Sequence, residues 1–214
     1  MVEVIPAILT NDPNEARELL QKTEGHVNRV QIDIIDNIFA ENKTVDPSVF
    51  EETFPTVKLD YHLMVKEPIN WIERSIRGQA DRIIGHIEMM ENQMEFVNRI
   101  HEFGLSAGLA VDLPTPVIEL NSESLSQVEV VIVLSVKAGF GGQEFDEKAF
   151  EKIEKLNKVR TEYNLDFKIC VDGGVTKDRV KKLISLGVDE ISIGRSLFKG
   201  NLGDNIKAIH EEEN

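Results

Sequence analysis

Two hydrophobic rhythms alternate along the chain. Short β-branched runs with a period of two are separated by longer stretches with a period near 3.6. The runs Val2–Leu9, Arg29–Ile35, Val57–Leu63, Asp81–Ile87, Leu105–Val111, Val128–Leu134, Phe167–Val171 and Glu190–Ile193 read as strands. Asn11-Asp12-Pro13 caps a helix that runs to Thr23, with Ala16, Leu19 and Leu20 on one face. Pro47–Glu51, Pro68–Ile76, Met90–Phe103, Pro116–Leu120, Lys148–Tyr163, Lys177–Ser185 and Asn205–His210 read as further helices, with Gly104 as the stop after the fourth. Strands alternating with crossovers of this length pair in parallel. An open doubly wound sheet is the competitor. Eight regular units in 214 residues fit a closed barrel better, so the expectation is α/β class, a (β/α)8 TIM barrel, one domain over residues 1–214. The acidic end, Glu211–Glu213, reads as a solvated tail.

The polar positions inside the strands carry the chemistry. In Arg29–Asp36, Val30, Ile32 and Ile34 fall on one side and Gln31 and Asp33 on the other. Such a carboxylate faces either water on an edge strand or an enclosed cavity. Repetition favours the cavity. Leu59-Asp60-Tyr61-His62, Arg82–Glu88 with His86, and Ile169-Cys170-Val171-Asp172 each put acids or imidazoles near the C-terminal end of an apolar run. In a parallel barrel that end is the catalytic mouth. Three glycine-rich turns follow strands: Gly139-Phe140-Gly141-Gly142-Gln143, Asp172-Gly173-Gly174-Val175 and Ile193-Gly194-Arg195-Ser196. Without a Cβ, backbone N–H groups approach an anion closely, and loops after the last two strands are the usual phosphate site of such barrels. One such turn alone is only a turn. His86 reads first as a hydrogen-bonded wall residue and Cys170 as a small hydrophobe. Met64 and Phe39 either wall a ligand or pack. A Schiff-base lysine is missing from the mouth: Lys58 and Lys168 have inward parity but sit at strand starts.

Charge and cysteine narrow the class. A net charge of −14 argues against nucleic acid as a partner, although a local nest of N–H groups still admits an anionic ligand. Cys170 is the single cysteine, so an internal disulfide is excluded and a reducing, cytoplasmic setting is expected. The N-terminus lacks a basic segment followed by an apolar one, and no apolar run approaches the ~20 residues of a membrane helix. Neither a signal peptide nor a membrane partner is expected.

Taken together, Pro6-Ala7-Ile8-Leu9, Gln31–Asp36, Asp60-Tyr61-His62-Leu63-Met64, Asp112–Pro116, Ser135–Phe145, Val171–Gly174 and Gly194-Arg195-Ser196 resemble the ribulose-phosphate 3-epimerase family nearly end to end. The resemblance implies a (β/α)8 barrel that interconverts D-ribulose 5-phosphate and D-xylulose 5-phosphate through an enediolate. It implies Asp33 and Asp172 as the acid/base pair on opposite faces of C3. It implies one divalent metal (zinc, iron, manganese or cobalt) on Asp33, His62, Asp172 and the position of Gln31. It also implies a small phosphosugar substrate held by Gly141, Gly142, Gly173, Gly174, Gly194, Arg195 and Ser196, with Met64 beside it, and a homo-oligomer.

Departures fall at the site itself. Gln31 replaces a histidine ligand, and a neutral amide oxygen is a poor partner for zinc though tolerable for manganese or magnesium. Ala7 replaces a serine, Ile35 a methionine, Asn37 a glycine, and Lys137-Ala138 an Asn-Pro pair. Lys137 either adds positive charge at the mouth or points into water. Two alternatives therefore stay open beside the pentulose epimerase with a weakened metal site: an epimerase of a hexulose 6-phosphate, and a non-catalytic phosphosugar-binding barrel.

Overall fold

Closure, not stacking, satisfies the strands: the last pairs with the first. The computed structural model describes residues 1–213. Strands β1 (Glu3–Ile8), β2 (Arg29–Ile35), β3 (Lys58–Met64), β4 (Ala80–His86), β5 (Ser106–Val111), β6 (Val130–Leu134), β7 (Lys168–Asp172) and β8 (Glu190–Ile193) form a closed parallel barrel in sequence order. Glu3 to Pro6 of β1 pair with Glu190 to Ile193 of β8, so no strand edge is left open. This is the expected (β/α)8 TIM barrel.

Helices α1 (Pro13–Thr23), α2 (Ile72–Arg77), α3 (Gln93–Glu102), α4 (Ser122–Leu125), α5 (Lys148–Glu162), α6 (Lys177–Ser185) and α7 (Leu202–His210) accompany the strands. Outward strand residues such as Val30, Ile32, Tyr61 and Leu63 share one buried core with Ala16, Leu20, Phe96, Ile100 and Leu156 of the helices. Side-chain caps fix the helix starts. Asp12 accepts from Asn14 and Glu15 N–H at α1, as its Asp-Pro sequence suggests. Asn92 and Asn201 cap α3 and α7, which moves both starts from the positions read off the periodicity. Pro68–Ile76 divides into a 3-10 turn, Pro68–Trp71, and α2. Pro116–Leu120 shortens to a 3-10 turn at Val117–Glu119, followed by α4 under an Asn121 cap. The acidic end is not merely solvated: Glu213 accepts from Val2 N–H at 3.2 Å and from His210 Nδ1 at 2.7 Å, tying the end of the chain to its start. Among the described residues no helix is long and apolar enough to cross a membrane.

Inside the barrel the inward side chains form levels. At the N-terminal end of the strands, Arg82 donates to Asp60 (3.1 Å from Nε) and to Glu190 (2.7 Å from Nη2). Arg29 also donates to Asp60, and Lys168 Nζ to Glu190 at 2.8 Å. Asp60 therefore belongs to this ionic floor and not to the mouth where the strand pattern grouped it. Above it lies an apolar plug of Ile84, Ala110, Val130, Ile132 and Cys170. The remaining inward positions, at the C-terminal ends, make the candidate site.

Candidate active site

Strand register brings the polar residues together. Asp33 of β2 pairs with His62 of β3, and Gln31 lies one inward position below Asp33. Asp172 ends β7 and pairs with Leu134 on one side and Ser192 on the other. The period of two aims Gln31, Asp33, His62 and Asp172 at the barrel axis, where they are 1, 4, 0 and 9 % exposed.

Their polar atoms meet at one point. His62 Nδ1 is 3.2 Å from Asp33 Oδ1 and 3.2 Å from Asp172 Oδ2. Gln31 Nε2 donates to the same two oxygens at 2.8 and 2.7 Å, and lies 3.3 Å from His62 Nδ1. Ligand atoms of Asp33, His62 and Asp172 all fall within 4.8 Å of one another. Two carboxylates and an imidazole converging this closely suit one divalent cation. The fourth corner suits it less well. Both neighbours of the Gln31 amide accept hydrogen bonds, which fixes its NH2, not its oxygen, toward the centre.

Burial and the surrounding hydrogen bonds and charges shape the titration of Asp33 and His62. Burial raises the Asp33 carboxyl above its ordinary value, and the Asp172 charge adds to this against the His62 hydrogen bond. Burial would lower His62, but its hydrogen bonds to Asp172 and Asp33 and their charges outweigh this and raise it to about 9.

Behind His62 stands a second imidazole. His62 Nε2 meets His86 Nε2 at 2.9 Å, and His86 Nδ1 meets Glu88 Oε2 at 3.1 Å. Burial lowers His86. Burial would raise Glu88, but the hydrogen bond and charge of His86, with further donors, pull it down to about 2. Phe39 lies over the His86 ring, with centroids 4.5 Å apart.

A cavity of about 720 Å³ opens above Asp33 and Asp172. Gly141, Gly142, Gly173, Gly174, Gly194, Arg195, Ser196 and Met64 all line it, together with Lys137 and Ala138. Met64 also packs with Ile35, Leu134, Ala138 and Phe39, so walling and packing coincide there. Gly173 and Gly174 have φ of +107° and +60°; a Cβ on Gly174 would strike the Phe145 backbone and one on Gly173 the Val136 side chain. Glycine is what permits the loop after β7 to fit beneath the loop after β6. That upper loop is pinned from two sides: Arg195 Nη2 donates to Gly141 O, and Asn42 Nδ2 to Gly139 O at 2.6 Å.

Several lining residues escaped the sequence reading. Arg179 and Lys199 add cations to the cavity wall. Ser192 lines it too, and its buried hydroxyl has no hydrogen-bond partner among the described residues. Parity along β8 would have turned Ser192 inward, next to Asp172. Nothing in the local pattern marks a helix arginine or a loop lysine as facing a cavity. Conversely, Asp36 is occupied structurally: it accepts from Ile38, Phe39 and Lys66 N–H.

The sequence model of the ribulose-phosphate 3 epimerase family matches residues 3–198. A ribulose-phosphate 3-epimerase of Bacillus subtilis is 30% identical over 215 residues, spanning 99% of this chain and 98% of that protein. The chloroplastic ribulose-5-phosphate-3-epimerase of Arabidopsis thaliana is 32% identical over 91% of this chain and 71% of its own length. Among solved structures, a tryptophan synthase α-subunit mutant from Pyrococcus furiosus superposes with a TM-score of 0.69 at 14% identity, covering 98% of both chains. A 3-keto-L-gulonate-6-phosphate decarboxylase from Vibrio cholerae gives 0.68 at 11% identity, covering 99% of this chain and 97% of that one. At such identities the structural likeness speaks for the barrel alone.

Proposed function

The chain belongs to the ribulose-phosphate 3-epimerase family, a family of isomerases, and from that membership we propose that it interconverts D-ribulose 5-phosphate and D-xylulose 5-phosphate, with Asp33 and Asp172 as the acid/base pair. The observation that carries the reading is the convergence of these two carboxylates, from β2 and β7, on one buried point at the cavity floor.

Epimerisation needs a base on one face of a carbon and an acid on the other. Asp33 removes the C3 proton from one side and Asp172 delivers one to the other; the reverse reaction exchanges the roles. Burial that raises Asp33 strengthens it as a base. Asp33, His62 and Asp172 would hold a divalent cation, with Gln31 a weakened fourth ligand. When bound, the cation supplies positive charge for the oxygens of the deprotonated sugar. Backbone N–H groups of the glycine loops, with Arg195 beside them, suit the phosphate end.

The test is solvent deuterium incorporation at C3 of ribulose 5-phosphate in the presence of manganese, zinc or iron. Asp33→Asn and Asp172→Asn should each lower interconversion with xylulose 5-phosphate by roughly 10²-fold or more, each keeping exchange only of the epimer whose C3 proton faces the remaining carboxylate. Undiminished interconversion in either variant would overturn the two-carboxylate assignment, and exchange only with a hexulose 6-phosphate would move the substrate class. Tight phosphosugar binding with no exchange would leave a binding barrel in place of an enzyme.

A further inference from the structure

For His62 to serve as a cation ligand, one of its nitrogens must present a bare lone pair to the cavity floor. Which nitrogen is bare is decided away from the floor. Nδ1 faces Asp33 and Asp172, each at 3.2 Å, and Nε2 faces His86 Nε2 at 2.9 Å. The two ring centroids are 5.0 Å apart with 25° between planes. With the nitrogens so much closer than the centroids, the rings meet edge to edge, not face to face. That is the geometry of a ring N–H donated to a ring lone pair, so one of the two Nε2 atoms carries the hydrogen and the other does not.

Glu88 decides which. A carboxylate only accepts, so at 3.1 Å from Glu88 Oε2 the Nδ1 of His86 is the donor. A neutral His86 that donates through Nδ1 has its lone pair on Nε2. His62 then donates through Nε2, and its Nδ1 is the atom left for the cavity floor. Glu88 itself cannot swing away freely. Asp112 N–H donates to its other oxygen at 2.7 Å, and Lys152 Nζ holds the following carbonyl, Leu113 O, at 2.9 Å.

We propose that Glu88, acting through His86, sets the tautomer of His62 and thereby makes Nδ1 the ligand atom. Glu88 and His86 are positioning residues, one imidazole further out than the usual carboxylate–histidine partner of a metal ligand. This rests on the reading of Asp33, His62 and Asp172 as a cation site. The hydrogen-bond chain behind it holds with or without the cation.

Glu88→Gln reverses the chain with almost no change of shape. Asp112 N–H claims the amide carbonyl, so the NH2 must face His86 Nδ1. His86 would then donate through Nε2, leaving His62 bare at Nε2 and fixing its one hydrogen on Nδ1, toward Asp33 and Asp172, where a cation would have to bind. Long-range proton–nitrogen spectra of the wild-type imidazoles should show His86 protonated at Nδ1 and bare at Nε2. The pattern should invert in Glu88→Gln and persist in Glu88→Asp. Affinity for Mn²⁺, Co²⁺ or Zn²⁺ should fall ~10- to 100-fold in Glu88→Gln, with Glu88→Asp recovering most of it. A wild-type His86 protonated at Nε2 overturns the proposal, even if the glutamine variant fails to fold. So does a folded Glu88→Gln protein that keeps the wild-type nitrogen pattern and cation affinity. If the nitrogen pattern inverts as stated while the wild type binds none of the three cations, the cation reading fails and the tautomer chain stands.

Discussion

Gln31 is the residue on which this site departs most from a metal centre. Its NH2 lies within hydrogen-bond distance of both carboxylates, at the place where a cation would be shared. The amide thus satisfies Asp33 and Asp172 without a metal, and a cation must turn it over or displace it. Replacing it with imidazole removes that competitor and adds a nitrogen ligand. Gln31→His should therefore tighten Zn²⁺ binding by ~10-fold or more, and shift preference from Mn²⁺ toward Zn²⁺. Competition against a chromophoric chelator reads both. Equal affinities in the two proteins would mean that Gln31 does not limit the site. The convergence itself was legible in the sequence, because strand parity sends Gln31, Asp33, His62 and Asp172 inward whatever the details. The union of His62 with His86 was not. Both were visible as mouth residues, but the distance between two inward side chains on neighbouring strands depends on rotamers that the pattern does not specify.

Among elements, the loops after β6, β7 and β8 act as one assembly. Gly174 lies under Phe145, and Arg195 of the last loop holds the carbonyl of Gly141. Gly174→Ala would combine a left-handed backbone costing roughly 1–2 kcal/mol with a collision against Phe145 main-chain atoms, which no side-chain rotation relieves. The upper loop must lift. The expected result is a rise in KM for the phosphosugar of ~10-fold or more, since about 1.4 kcal/mol corresponds to a factor of ten, with an unchanged far-ultraviolet spectrum. Gly104→Ala is the control. Its φ of +71° carries similar backbone strain, but a Cβ there meets nothing within 4 Å, so stability should fall and KM should not move. An equal KM shift in both variants would disprove the assembly argument. Glycine content and position after strands announced these loops. Helix boundaries were read less well, because a single side-chain acceptor such as Asn92 or Asn201 overrides the hydrophobic period.

At the scale of the molecule, the barrel separates two polar levels by an apolar one. Asp60 and His62 share a strand, a face and a polar character, yet one joins the ionic floor and the other the mouth. Period-two reasoning identifies the inward face but not the height along the axis, which follows from the stagger of the closed sheet. That is why Asp60 was misplaced while the barrel was recognised. The floor makes its own prediction. Burial would raise the Glu190 carboxyl, but the hydrogen bonds and charges of Arg82 and Lys168 outweigh it and hold it below its ordinary value. A carboxylate lowered in the folded state adds stability that is fully present above its unfolded pKa, here 4.5, and is lost as pH falls toward the folded value. Glu190→Gln leaves the Arg82 charge, 1 % exposed, with one partner fewer, and should cost about 3–5 kcal/mol near neutral pH. Urea midpoints of the two proteins should converge as pH drops below 4.5. The same ion group replaced whole by apolar residues of like volume should recover most of the loss, because desolvating paired charges offsets much of their attraction. A Glu190→Gln protein as stable as wild type at pH 7 would show instead that the floor is wet, and that the apolar plug above it alone closes the barrel.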